Sequence, residues 1–119
     1  MEKLAPHITR QRLLIEGFFS IDVDREIINN YLISVAKHLD LRTYGEPTIY
    51  SPEGMGKGEN QGYDAFIPLI DSGISLYVWT NEKFMSVIFY TCKNFYEEQA
   101  LSFTKRFFNM NDKIESKSF

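Results

Sequence analysis

The chain has 119 residues, 44% of them hydrophobic and 24% charged, with a formal net charge of −3. That balance excludes a disordered chain and predicts a single domain spanning 1–119, since soluble domains cluster at about 100–150 residues. The acidic balance argues against a nucleic-acid partner, and no apolar run approaches the ~18 residues of a membrane span. The single cysteine leaves no internal disulfide and fits a reducing cytoplasm.

Met1 to Arg10 is polar, carries Pro6 and lacks the apolar stretch of a secretory signal, so it predicts a loose terminus. Leu13-Leu14-Ile15-Glu16-Gly17-Phe18-Phe19 reads as a buried strand with one charge inside it. Asp22 or Asp24 then caps a helix from Arg25 to Leu41, whose apolar stripe is Ile27, Ile28, Tyr31, Leu32, Val35 and Leu39. Gly45 and Pro47 mark its exit. Thr48-Ile49-Tyr50 is a short strand that runs into a glycine-rich loop ending at Gly62. Tyr63 to Ile70 is a strand with Pro68 in it, which points to an edge or a bulge.

Asp71-Ser72-Gly73 turns the chain. Ile74 to Trp79 alternates, with Ile74, Leu76 and Val78 on one face and Ser75, Tyr77 and Trp79 on the other. Phe84 to Cys92 does the same, with Met85, Val87 and Phe89 opposed to Ser86, Ile88, Tyr90 and Cys92. Asn94 and Glu97 read as a capping box for a second helix over 95–108, with Ala100, Leu101, Thr104, Phe107 and Phe108 as its buried stripe. Asn111 to Phe119 reads as a loose tail. The element order predicts an α+β two-layer sandwich, a mainly antiparallel sheet with two helices on one face. The second face keeps Tyr77, Trp79, Ile88 and Tyr90, too apolar to leave in water, and should meet another subunit, a ligand, or both.

Chemistry-bearing residues are few. Gly56-Lys57-Gly58 lacks the Ser or Thr that a phosphate loop needs after its lysine, so a loop at the rim of a site is the better reading. The two histidines are far apart and no ligand-spaced cluster exists, so no metal is expected. Cys92 alone reads as a small buried apolar residue. Glu16, inside an apolar strand, either faces solvent, pairs, or does chemistry.

Five segments taken in order resemble the prokaryotic S-adenosylmethionine decarboxylase proenzyme family, over roughly Arg12 to Phe108. Leu13-Leu14-Ile15-Glu16 is similar to the family's first strand, Leu-Ile-Ala-Glu, and Ile15-Glu16-Gly17 to the Phe-Glu-Gly of eukaryotic relatives. Tyr50-Ser51-Pro52-Glu53-Gly54 resembles Phe-Ser-Pro-x-Gly, which precedes the self-cleavage site. Trp79 falls at the family's Thr-Trp-Pro-Glu. Phe89-Tyr90-Thr91-Cys92 resembles Val-Phe-Thr-Cys, whose cysteine protonates the decarboxylated intermediate. The resemblance implies a small α+β homodimer of the spermidine pathway, with its site near the subunit boundary.

There are three departures: the family's Trp-Pro-Glu is altered to Trp79-Thr80-Asn81-Glu82, and two others bear on self-processing. The family's Val-Ser-Gly, whose serine becomes a pyruvoyl group, is replaced by Met55-Gly56-Lys57 or, if the glycine loop is an insertion, by Tyr63-Asp64-Ala65. The family's Glu-Ser-His becomes Asp71-Ser72-Gly73, without its histidine. No pyruvoyl cofactor is therefore expected, and a decarboxylation without that electron sink loses many orders of magnitude in rate. The expectation is a decarboxylase-related protein, a pseudoenzyme, that holds S-adenosylmethionine or a polyamine-pathway cation on Phe18, Glu53, Tyr77, Trp79 and Tyr90, with Glu16 and Asp64 supplying negative charge. Two alternatives stand beside it. One is a cofactor-independent enzyme of lyase or hydrolase type, using Cys92, Glu16 and Asp64 on S-adenosylmethionine. The other is a dimeric interaction protein without a ligand.

Overall fold

The computed structural model describes residues 4–52 and 61–119. In chain order they form β1 (Gln11–Phe18), α1 (Arg25–His38), β2 (Thr48–Tyr50), β3 (Gly62–Leu69), β4 (Ser72–Trp79), β5 (Phe84–Thr91), α2 (Glu97–Phe107) and β6 (Ile114–Ser118). The strands make one six-stranded sheet in the order β2-β3-β4-β5-β1-β6. Every ladder in it is antiparallel. This is the α+β sandwich expected.

The alternation of the strands decides which face is covered. Leu13 and Ile15, Ala65, Ile67 and Leu69, Ile74, Leu76 and Val78, and Met85, Val87 and Phe89 are all buried and share one face. Both helices close over it. From α1 come Ile28, Tyr31, Leu32, Val35 and Ala36, and from α2 come Ala100 and Thr104. Each fully buried Leu, Ile or Phe contributes about 1.5–3 kcal/mol by leaving water. The two helices also share a polar bond, 2.7 Å between the Tyr31 hydroxyl and Thr104 Oγ1. Burial pushes the Tyr31 phenol pKa well above its ordinary value.

Local chemistry sets the helix ends. Asp24 caps α1 by accepting from the Ile27 N–H at 2.9 Å. The helix closes at Asp40, left-handed at φ 57°, with the Leu41 N–H donating to Ala36 O. That Schellman ending stops the helix short of the expected Leu41 and well before Gly45. Asn109, at φ 48°, ends α2 the same way, with Met110 N–H donating to Lys105 O.

The structure corrects several expectations. Residues 111–119 are not a loose tail: Ile114–Ser118 pairs along β1, from Gly17↔Ile114 to Leu13↔Ser118. Asn94 does not cap α2. The N-cap is Tyr96, with no side-chain bond, and Glu97 instead accepts from Ser118 Oγ at 2.9 Å and the Gln11 amide at 3.4 Å. Cys92 is not buried; it is exposed, one residue past the end of β5. Pro68 sits within β3 without a bulge, because β2 pairs only with Asp64 to Phe66 and no described strand flanks Pro68 on that side. The glycine loop over 53–60 lies outside the described residues.

One buried charge ties the connections together. Asp71, 2% exposed in the β3–β4 turn, accepts from the Arg42 backbone N–H at 3.0 Å and from its guanidinium at 2.8 Å. Hydrogen bonds from Arg42 hold the Asp71 carboxyl below its ordinary pKa. The pair fixes the α1–β2 connection, whose Thr43 also bridges to Leu69, against one end of the sheet.

Candidate functional site

The face away from the helices carries the opposite set of side chains. Registers place them in rows across the sheet. One row runs Tyr50, Asp64, Tyr77, Ser86, Glu16, Glu115, each directly opposite the next, across all six strands. On one side of it lies Trp79–Phe84–Phe18, an aromatic run with ring centroids 5.5 Å and 5.2 Å apart. On the other side lie Phe66, Ser75, Ile88 and Leu14. Phe18, Tyr50, Phe66, Tyr77 and Tyr90 are exposed on this face. The result is a polar stripe between two apolar borders.

Glu16 is held in that stripe. Ser86 Oγ donates to its carboxylate at 2.9 Å, and Glu115 stands opposite on β6. Like charges directly opposite repel, so a cation between them is favoured. Two depressions open along the row. One, about 470 Å³, is lined by Glu16, Phe18, Phe84, Asp112, Lys113 and Glu115 among others. The second, about 340 Å³, is lined by Thr48, Tyr50, Asp64, Phe66, Ser75 and Tyr77 among others. A surface of carboxylates and π-faces suits an ammonium or a sulfonium with an aryl group attached.

The residues singled out from sequence are distributed as follows. Glu16, Phe18, Asp64, Tyr77, Trp79 and Tyr90 all belong to this face. Glu16 and Asp64 share the central row but stand three strands apart, about 14 Å at ~4.8 Å per strand. Tyr90 is across from Arg12, toward the opposite end of the sheet from Phe18. Cys92 lies six residues beyond Ser86 along the same strand direction, about 20 Å away. Glu16, Asp64 and Cys92 are therefore not brought together. Glu53 lies outside the described residues. Ser86, Phe84, Phe66 and Tyr50 join the face as well. The period of two already places Ser86 on this side, but only the β1–β5 register ties it to Glu16.

The whole arrangement has a counterpart among solved structures. Over 94% of its length the chain is similar to the adenosylmethionine decarboxylase from Aquifex aeolicus VF5, covering 89% of that chain with a TM-score of 0.72 and 19% identity. The fold is adenosylmethionine decarboxylase-like. No family model matches the sequence, and no curated protein matches it.

In the family that the sequence resembles, a pyruvoyl group forms from an internal serine. From Pro52 to Asp71 the sequence holds no Ser, Thr or Cys. An N-to-O acyl shift needs such a side chain poised on the preceding carbonyl. At the β3 position suggested by the resemblance stands Asp64, an exposed carboxylate facing Tyr77 and Tyr50. Ser72 opens β4 in the turn beside Asp71, away from the central row. Among the described residues there is no group of three or more His, Cys, Asp or Glu that could hold a metal ion. No described helix is long and apolar enough to cross a membrane.

Proposed function

We propose that this protein binds S-adenosylmethionine or a related cation of the polyamine pathway on the open face of its sheet, and does so as a homodimer that does not process itself. The observation that carries the reading is the carboxylate row flanked by aromatic rings. Glu16 and Asp64 supply negative charge, Phe18 and Trp79 border one side of the row, and Tyr77 lies within it. The exposed aromatic surface supports a second copy closing over this face and shielding the ligand from water. The wide separation of Glu16, Asp64 and Cys92 favours binding over turnover, because an acid and a base must both reach one substrate. The lone cysteine fits residence in the cytoplasm.

Calorimetry with S-adenosylmethionine, its decarboxylated form and spermidine, each at millimolar concentration, tests the reading. Saturable heat with at least one of them is expected, together with a single intact mass of 13.9 kDa. No heat with any of the three removes the binding function. Two fragments with a blocked N-terminus on one of them would restore the self-processing decarboxylase.

A further inference from the structure

The end of β1 carries a second, oppositely charged feature. A cavity of about 370 Å³ is lined by Thr9, Arg10, Arg12, Asn94, Ser118 and Phe119 among others. No Asp or Glu is among its described lining residues, in a chain whose net charge is −3. Glu97, which opens α2, accepts hydrogen bonds from Gln11 and Ser118, two of the lining residues. Arg12 is the central group. Its guanidinium lies over the Phe119 ring, 5.6 Å from the centroid, and its Nε is buried with no hydrogen-bond partner among the described residues.

A buried N–H on a charged group without an acceptor is unfavourable, and native structures rarely retain one. A cation-π contact uses no N–H donor, so the two terminal nitrogens of the guanidinium keep their donors for a further partner. Those donors form a fork that matches two oxygens of a carboxylate or a phosphate. The cavity is larger than a lone ion needs, and Asn94, Thr9 and Ser118 add neutral hydrogen-bonding groups around it.

We propose that this cavity binds the carboxylate or phosphate of a small anionic metabolite, with Arg12 as its principal anchor. The site does not depend on the cation-binding face, since its anchor charge and its ligand charge are both of the opposite sign.

Inorganic phosphate and acetate, titrated separately at constant ionic strength, distinguish the two sources of the oxyanion. The readouts are the ¹H–¹⁵N resonance of the Arg12 Nε and the melting temperature. A saturable shift of that resonance is expected with at least one probe, accompanied by a rise in melting temperature. Arg12→Gln should weaken the response tenfold or more, Arg12→Lys less, and Arg106→Gln, at the far end of α2, not at all. Response to phosphate alone assigns a phosphoryl ligand, and response to acetate alone a carboxylate. Absence of a saturable shift with both probes overturns the proposal, and so does an equal thermal response in Arg12→Gln. Should Arg12→Gln fail to fold, the resonance in the unmodified protein still decides. Spermidine binding retained in Arg12→Gln separates this site from the proposed cation face.

Discussion

The Ser86 hydroxyl donates a 2.9 Å hydrogen bond to the carboxylate of Glu16 across the β1–β5 ladder. A carboxylate has about four acceptor positions, so one donor leaves most of its capacity unused. Glu115, opposite on β6, contributes a further negative charge and no donor. The pair is therefore a poor structural tie, with acceptor capacity left over for the proposed cation. Glu16→Gln should leave folding stability within about 0.5 kcal/mol, since it removes a repulsion as well as a hydrogen-bonded charge. The same change should weaken binding of the cation by about ten- to a hundredfold, the equivalent of a charged hydrogen bond at ~1.5–3 kcal/mol. Ser86→Ala should cost only a few-fold. Calorimetry and a denaturant titration on the same samples check both halves.

Gly17 decides whether β6 can reach the sheet. A Cβ there would stand 2.7 Å from Lys113 O and 3.0 Å from Ile114 Cα, both backbone atoms. Backbone cannot swing aside as a side-chain end can. Gly17→Ala should destabilise the protein by about 1–3 kcal/mol, the usual cost of overpacking. Hydrogen exchange should show the loss concentrated in the amides of β6 while β4 and β5 stay protected.

What could be read from sequence follows from where period-two alternation is strong. Met85, Val87 and Phe89 alternate with Ser86, Ile88 and Tyr90, and the core-facing side of β5 is legible at once. β6 is not, because Ile-Glu-Ser-Lys-Ser has one large apolar residue, and its pairing rests on backbone hydrogen bonds to β1 that leave no mark in composition. Glu97 illustrates a different limit. Its spacing from Asn94 fits a cap, yet tertiary partners on β1 and β6 claim its carboxylate. The open face is legible as a set of residues, but its central row is not. A row is a property of strand order, and β1 inserting between β5 and β6 is what places Glu16 beside Ser86.

The apolar borders of that row predict self-association. Phe66, Tyr77 and Tyr90 are exposed together on a face that neither of the described helices covers. Sedimentation of the unmodified protein should give twice the 13.9 kDa chain mass. Phe66→Lys should sediment as a monomer while still unfolding cooperatively, because its ring lies outside the helix-covered core. A monomer at all accessible concentrations for the unmodified chain would mean that the second copy does not cover this face.

Tyr31 and Thr104 are both fully buried, and their hydroxyls bond each other between the helices. Removing one partner strands the other. Tyr31→Phe and Thr104→Val should each cost about 1–2 kcal/mol, whereas the double variant should cost less than the sum, since neither polar group is then left behind. Denaturant unfolding of the four proteins completes the cycle. Strict additivity would mean that the two hydroxyls do not interact.

Asp71 gives the fold a dependence on acid. Its carboxyl is held below the ordinary value of 3.8, first by its hydrogen bonds to the Arg42 guanidinium and backbone N–H. A group with a depressed folded-state pKa stabilises the fold above its unfolded-state value and loses that contribution as the pH falls through the folded-state value. Stability should therefore be insensitive to this pair from neutrality down to about pH 5, then decline below about pH 4, where an unfolded aspartate takes up its proton. Asp71→Asn should be less stable than the unmodified protein at neutral pH and should lose less on acidification, so that the two curves approach each other toward pH 2. Melting temperatures measured from pH 7 to pH 2 would expose parallel curves at once, and parallel curves would mean that Asp71 is not the carboxylate on which the acid sensitivity rests.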